Sequence, residues 1–289
     1  MNFLLYALLC LIWGSTWTAI KIGLTDSPPL WSAAFRFLLA TIILLILNAL
    51  AGRRYPQGWR RKWQVAWPGM FTFFGSYSLT YLGSQFISSA LASILFSVMP
   101  FFVLALMPFM VKDERVDIMS LLGVVVGFAG VVLVFAEPIQ LGNKALFGMI
   151  LLVLSPLCAA LGSVSVKAFL PEEPVFPMIT LQMGLGALLI TICALLSEPL
   201  AGFRFTAKSV GTILYLSVLG SIVAFGGYFW LFKRIRLVVM SLVALITPVL
   251  AIFVGYLLLD ELLKPIDYVG AALVLIGVLI VNLKQRAEH

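Results

Sequence analysis

Charged side chains are scarce in this sequence. Only 11% of its 289 residues are Asp, Glu, Lys or Arg, whereas 62% are hydrophobic and the mean hydropathy is +1.12. Soluble domains hold about 25% charged and about 45–50% apolar residues, so this chain could not cover a water-facing surface. Intrinsic disorder is excluded by the same composition, because disordered chains are polar and charged. The composition predicts an all-α integral membrane protein.

Histidine and intramembrane acids are also missing. The one histidine is His289, which excludes a buried histidine relay and histidine-rich metal ligation, and the three cysteines lie within apolar runs. Every Asp and Glu falls in a loop or at a helix end, whereas many proton pumps use carboxylates inside the membrane. The Gly-x4-Gly-Lys-Ser/Thr loop that binds nucleotide phosphates is absent. The sequence therefore predicts no cofactor, no metal site and no nucleotide hydrolysis.

Apolar runs fill almost the whole chain, and a run of about 20 residues crosses a bilayer. We read ten, at roughly 3–23, 31–50, 64–83, 87–111, 116–135, 146–167, 175–197, 209–232, 237–259 and 266–283. Much of the net charge of +7 lies in the connections between them, above all in residues 53–62, which argues against nucleic-acid binding. Because basic loops favour the cytoplasm, we expect a multi-pass protein of the inner (plasma) membrane with both termini cytoplasmic.

The sequence also matches itself weakly at an offset of about 147 residues, as internal repeats do. The matched residues are Glu114 and Glu261, Gly123 and Gly270, Gly130 and Gly277, and the mid-run prolines Pro100 and Pro248. We predict that these two prolines act as gate or hinge elements, since proline removes a backbone hydrogen bond. Five runs in each copy make the second copy enter the membrane from the opposite side. We therefore predict two inverted five-helix repeats, residues 1–144 and 145–289, around a central cavity.

Family features appear at several places in the chain. The first run contains Trp13-Gly14-Ser15-Thr16-Trp17, followed by Lys21 and by Arg36-Phe37, and each half ends with a proline, a glutamate and two spaced glycines. This pattern resembles the drug/metabolite transporter superfamily, specifically the EamA type of ten-helix bacterial exporter. The resemblance covers the whole chain, although Ala159-Ala160-Leu161 stands where the second half would carry the Trp-Gly signature. It implies export of small metabolites, with amino acids and their derivatives a common theme.

Aromatic and hydroxyl side chains are the candidate substrate-binding groups, because Tyr and Trp join an apolar ring to one polar tip. The candidates, with one cation, are Trp13, Trp17, Arg36, Tyr77, Tyr81, Ser93, Ser97, Ser163, Tyr228 and Ser241. Arg36 could pair with Asp26, with backbone carbonyls or with a substrate carboxylate. The other candidates could instead mark the membrane interface or pack helices together. If they converge, they form an aromatic, hydroxyl-bearing cavity that suits a small zwitterion or an amphipathic molecule.

Three classes of function remain open at this point: a secondary transporter, an intramembrane enzyme, and a passive channel or structural membrane protein. An intramembrane enzyme would need a nucleophile–base pair or metal ligands at depth, and a passive channel usually has a ring of polar residues from several subunits. A structural membrane protein would need neither. The inverted repeat favours a secondary transporter that exports its small-molecule substrate by alternating access. We expect a monomer or a homodimer, since the Gly123-x3-Gly127 spacing could mediate dimerisation, and we expect the fifth and tenth runs to be scaffold.

Overall fold

The computed structural model describes residues 2–111, 118–136, 143–232 and 243–287, which form helices joined by short loops, with no β-strand in those ranges. The helices are α1 (Asn2–Gly23), α2 (Pro29–Leu50), α3 (Trp59–Ala66), α4 (Tyr77–Ser84), α5 (Ser89–Phe96), α6 (Met99–Met110), α7 (Ile118–Ala136), α8 (Asn143–Phe169), α9 (Val175–Ser197), α10 (Ala207–Ser217), α11 (Ala224–Phe232), α12 (Val243–Leu259) and α13 (Pro265–Ala287). Two π-helical segments, Met70–Ser76 and Val218–Val223, lead into α4 and α11. The prediction of an all-α protein is confirmed.

Several helical stretches have the length and composition of membrane spans. Within the described residues six qualify: Leu4–Gly23, Pro29–Leu50, Ser89–Met110, Asn143–Phe169, Val175–Ser197 and Ala207–Leu231. Shorter apolar helices cover Leu121–Val134, Ile246–Leu259 and Pro265–Ile280. Large apolar side chains are exposed on the outer surface of the bundle; Phe109, for example, is 86% exposed and Leu196 is 83% exposed. Such a surface is stable only in lipid, so this is a multi-pass membrane protein. The count of ten crossings stays a prediction.

Two carboxylates satisfy helix N-termini at the same end of the bundle. Glu198 accepts hydrogen bonds from the backbone N–H groups of Leu30 and Trp31 in the first turn of α2. Glu261 accepts them from Ser89 and Ala90 at the start of α5. These N–H groups have no partner within their helix, and the helix dipole favours a negative charge there. Both contacts join parts of the chain that are far apart in sequence, and so they fix this end of the bundle.

Continuous apolar runs imply regular α-helices, but the third and eighth runs are not regular. The π segments Met70–Ser76 and Val218–Val223 interrupt them, and the second segment follows the first by about 147 residues. A π turn shifts backbone carbonyls away from their helical partners, and such turns are frequent at functional sites. The Ser76 carbonyl accepts the Ser155 hydroxyl at 2.8 Å, and the Gly220 carbonyl accepts Arg36. Tertiary contacts therefore hold both segments.

Helices α7 and α13 pack along their glycines, as expected for scaffold helices. A Cβ atom on Gly130 would lie 2.5 Å from the Gly270 carbonyl oxygen, and one on Gly277 would collide with the Gly123 carbonyl. The backbones therefore touch, as small residues allow between membrane helices. This contact uses the Gly123–Gly127 face within the chain, so that face is not available for a second copy of the protein.

This packing predicts opposite outcomes for two Gly→Ala changes. Gly130→Ala should lower the midpoint of thermal unfolding in detergent, because overpacking costs about 1–3 kcal/mol. Gly211→Ala, in α10, should raise the midpoint, because nothing lies within 4 Å of its Cβ and alanine gains about 1 kcal/mol over glycine in a helix. Midpoints of thermal unfolding that shift in the same direction in both variants would contradict the close approach of α7 and α13.

Candidate functional site

A cavity of about 260 Å³ lies inside the bundle, and residues from both halves of the chain line it. Pockets for small molecules usually measure about 300–1,000 Å³, so this one suits a ligand of modest size. Arg36 is the one charged side chain in its described wall. No group of three or more His, Cys, Asp or Glu that could hold a metal ion occurs in the described part of the chain.

Most of the candidate residues meet at this cavity. Eight of them line it: Trp13, Trp17, Arg36, Tyr77, Ser93, Ser97, Ser163 and Tyr228. Tyr81 lies behind the wall, 1% exposed, with its hydroxyl 3.5 Å from Arg36 Nη1. Pro100 lines the cavity, whereas Pro248 is buried inside α12 away from the wall. Ser241 lies outside the described residues.

Aromatic rings form one side of the cavity. The Trp13 ring centroid lies 5.3 Å from that of Tyr228 and 5.8 Å from that of Phe225. One helical turn along α1, Trp17 packs against Phe96 of α5 at 5.3 Å. Tilted and edge-on ring pairs at these distances are favourable, and they hold the rings in defined positions. The wall therefore joins aromatic side chains of the first half to those of the second.

The residues of the Trp-Gly-Ser-Thr-Trp motif face three different neighbours, which are the cavity, α12 and α10. Trp13, Thr16 and Trp17 line the cavity. Gly14 faces α12, where a Cβ atom would lie 2.5 Å from that of Leu250, so only glycine lets the two helices touch. The Ser15 hydroxyl lies 2.6 Å from the Tyr215 hydroxyl of α10. The motif thus places two indole rings at the wall while it packs α1 against two helices of the second half.

Arg36 is 1% exposed, and its hydrogen-bond partners are neutral. Nε donates to the Ser221 hydroxyl at 3.0 Å, and Nη2 donates to the Gly220 carbonyl at 3.2 Å. The guanidinium carbon also lies 4.7 Å from the centre of the Tyr77 ring, a cation–π distance. Of the sequence-based alternatives, pairing with Asp26 does not occur: the Asp26 carboxylate instead accepts the Thr206 hydroxyl at 2.6 Å.

A row of hydroxyls in the third run was missed by the sequence analysis. Thr72, Ser76 and Thr80 line the cavity at intervals of four residues, and this spacing was the signal that could have revealed them. Ser155 of α8 lies behind them, 2.7 Å from Thr80 Oγ1 and 2.9 Å from Ser76 Oγ. In contrast, the Ser93 and Ser97 hydroxyls donate to carbonyls of their own turn, which leaves oxygen lone pairs for a ligand.

Pro100 does not lie in the middle of one continuous helix. The fourth run divides into α5 and α6 at Ser97 and Val98, and Pro100 stands in the first turn of α6. A proline at that position loses no helical hydrogen bond of its own, but α5 cannot continue through it. The break itself borders the cavity, since Ser97, Met99 and Pro100 all line it.

Hydrogen bonds join helix ends just beyond the cavity-lining residues Ile20 and Thr80. Lys21 Nζ donates to the carbonyl oxygens of Ser84 at 2.9 Å, Gln85 at 3.2 Å and Ile87 at 2.7 Å. These carbonyls belong to the connection between α4 and α5, next to the site where Glu261 contacts the start of α5. We call this group of contacts around Lys21 and Glu261 the seal.

Away from the seal, the wall continues to the far ends of the helices. Met107 lines the cavity near the end of α6, and Val243 lines it at the start of α12. The lining residues of the fourth run extend from Ser93 in α5 to Met107 in α6, on both sides of the break at Ser97 and Val98. The cavity wall therefore extends from the residues next to the seal toward the opposite ends of these helices.

Comparison with known proteins agrees with this geometry. The model of the EamA-like transporter family matches residues 1–136 and 146–283. The uncharacterized transporter YoaV of Bacillus subtilis is 25% identical, over 93% of this chain and 92% of YoaV. The uncharacterized inner membrane transporter YedA of Escherichia coli K12 is 29% identical, over 95% of this chain and 88% of YedA. A solved crystal structure shares the fold at a TM-score of 0.71 and 19% identity, covering 100% of this chain and 98% of that one. The resemblance seen in the sequence is confirmed: this chain belongs to the EamA-like transporter family.

Proposed function

We propose that this protein is a secondary transporter of the inner (plasma) membrane. It exports small organic metabolites, above all amino acids or their amphipathic derivatives, by alternating access. One observation carries the proposal: aromatic and hydroxyl side chains from both halves of the chain line one cavity, and the Lys21 contacts join helix ends beyond it. A site that opens to one side at a time is what a carrier requires.

Ten crossings in two inverted halves, residues 1–144 and 145–289, are part of this proposal. The two residue ranges that the family model matches, 1–136 and 146–283, support the division. The π segments support it too, because they recur at the same offset as the sequence repeat. Exchange of conformations between inverted halves would turn an opening on one side into an opening on the other.

The basic loop supports an inward-open orientation. Helix α2 begins at the end of the bundle where Glu198 binds Leu30, the same end as the seal, and its other end leads into residues 53–62. Arg53, Arg54, Arg60, Arg61 and Lys62 therefore lie at the end away from the seal. Since such loops stay in the cytoplasm, both termini are cytoplasmic and the seal faces outward. The break at Pro100 and the buried Pro248 serve as hinges.

Transport is tested directly with the purified protein in proteoliposomes. Vesicles loaded with unlabelled amino acids and their amphipathic derivatives receive a trace of the labelled compound outside. A carrier gives saturable uptake that the unlabelled substrate inside accelerates. Flux that rises linearly with concentration and ignores the internal substrate would indicate a channel, and chemically altered products would indicate an enzyme.

The aromatic wall predicts a strong effect of Trp17→Ala. We expect the change to lower substrate flux by about tenfold, because the ring supplies contact area and a fixed aromatic surface, worth roughly 1–2 kcal/mol. Trp59→Ala is the matched control, since Trp59 is 78% exposed at the start of α3. Flux and thermal midpoint are measured for both variants. Wild-type flux in Trp17→Ala would show that this ring only packs α1 against α5.

A further inference from the structure

The charge of Arg36 is not neutralised by any acid at the cavity. The described wall contains no Asp or Glu, and the nearby carboxylates have other roles. Asp26 binds Thr206, Glu198 binds the start of α2, and Glu261 binds the start of α5. A cation at this depth is costly, and in membrane proteins such a residue usually serves function. The described wall of the cavity therefore carries one positive charge.

The hydrogen bonds of Arg36 leave part of the guanidinium unused. Three of its five N–H groups donate to Ser221, Gly220 and Tyr81, and the Tyr81 contact is long at 3.5 Å. The Tyr77 hydroxyl is a fourth partner, which leaves one N–H on a terminal nitrogen without one. A carboxylate accepts two N–H groups at once, and such paired, charge-assisted bonds are stronger than the neutral contacts with Tyr77 and Tyr81 that it would replace. The guanidinium carbon lies 4.7 Å from the centre of the Tyr77 ring and 4.9 Å from that of the Phe37 ring, and these two rings also pack edge-on against each other.

The rest of the described wall contains no group that would neutralise the ammonium group of a ligand. It consists of aromatic rings such as Trp13 and Phe225, of aliphatic side chains such as Val103, and of hydroxyls. A zwitterionic ligand would leave the charge of Arg36 uncompensated in a low-dielectric site, whereas a monoanion cancels it. An aromatic or branched apolar body would fill the remainder of the cavity.

We propose that the cavity selects monocarboxylate anions that carry an aromatic or branched apolar body and no ammonium group, and that Arg36 binds the carboxylate. This inference rests on the proposed transport function; of the substrates named there it excludes the amino acids themselves and keeps their amphipathic derivatives without an ammonium group. It also implies that each transported molecule carries one negative charge, so that the flux responds to the membrane potential.

Three probes with the same skeleton separate the charge states: phenylpyruvate is an anion, phenylalanine a zwitterion and phenylalaninamide a cation. Binding to the purified protein is followed by tryptophan fluorescence, since Trp13 and Trp17 line the cavity. We expect phenylpyruvate to bind at least about tenfold more tightly than phenylalanine, because the ammonium group of phenylalanine adds a positive charge that the site does not compensate. An inside-negative potential should accelerate efflux of phenylpyruvate from proteoliposomes and leave efflux of phenylalanine unchanged.

Substitution of Arg36 then separates a binding role from a structural one. Arg36→Gln should weaken phenylpyruvate binding at least about tenfold and should tighten phenylalaninamide binding, because the repelling positive charge is removed. Arg36→Lys, which keeps the charge without the paired N–H groups, should lie between wild type and Arg36→Gln. Equal losses for all three probes would overturn the assignment of Arg36.

The relative affinities of the wild-type protein for the three probes test the anion selectivity even if no Arg36 variant folds. Tighter binding of phenylalanine than of phenylpyruvate, with saturable phenylalanine flux, would overturn the anion selectivity and leave the transporter proposal standing. Binding and flux of none of the three probes would contradict both proposals.

Discussion

A Lys21→Met variant is expected to open the sealed end of the cavity and to lower net transport by about tenfold or more. Methionine keeps the length of the side chain but donates nothing to the three carbonyls that Lys21 contacts. Hydrogen bonds from a charged group contribute about 1.5–3 kcal/mol each, and about 1.4 kcal/mol already changes a population tenfold. The variant should therefore favour the state that is open at the seal.

Labelling of an introduced thiol measures this opening. Ser93→Cys places a thiol one turn inside the seal, in a background whose native cysteines (Cys10, Cys158 and Cys193) are alanine. A membrane-impermeant maleimide added on the sealed side should react at least about tenfold faster when Lys21 is methionine. Lys208→Met is the control, because Lys208 is exposed at the same end of the bundle. Equal labelling rates in all three proteins would contradict a closing role for Lys21.

Ser163→Trp is expected to abolish transport while the protein still folds. Ser163 lines the cavity from α8, and an indole ring at this position would occupy much of the 260 Å³. Substrate and ring cannot share so small a space, so we expect flux to fall by about a hundredfold. A thermal midpoint near that of wild type would show that the added ring is accommodated in the existing cavity.

Leu154→Trp is the matched control for this change. Leu154 belongs to the same helix, but its side chain is 43% exposed on the lipid-facing surface. Tryptophan is tolerated there because it replaces one large apolar side chain by another. Full flux in Leu154→Trp together with loss of flux in Ser163→Trp would identify the cavity as the pathway. Retained flux in a folded Ser163→Trp protein would place the pathway elsewhere.

Helix positions were the easiest feature to predict. Proline and glycine mark the boundaries of the apolar runs, so α2 begins at Pro29 and α9 follows Pro174. The glycine spacing of the fifth and tenth runs likewise pointed to close packing, because only small residues let helices touch. These features depend on local chemistry, which the sequence displays directly.

Tertiary partners were not predictable in the same way. The π segments look like ordinary apolar helix in the sequence, since their wide turns depend on contacts such as the one between Gly220 and Arg36. Arg36 was singled out from its depth as a candidate for either a binding or a structural role, but its partners Ser221 and Gly220 lie about 185 residues further along the chain. Only the folded arrangement shows that these partners are neutral and that Asp26 is engaged elsewhere.

The glycine contact between α7 and α13 also has a consequence for biosynthesis. Helix α7 ends at Ala136 and its partner begins at Pro265, so ribosomes working at about 5–20 residues per second need roughly 6–26 s to supply that partner. During this interval the narrow glycine face of α7 has only lipid or the insertion machinery beside it. The α7–α13 pair therefore assembles after translation of the second half. A ribosome that stalls before residue 265 leaves α7 without its partner helix.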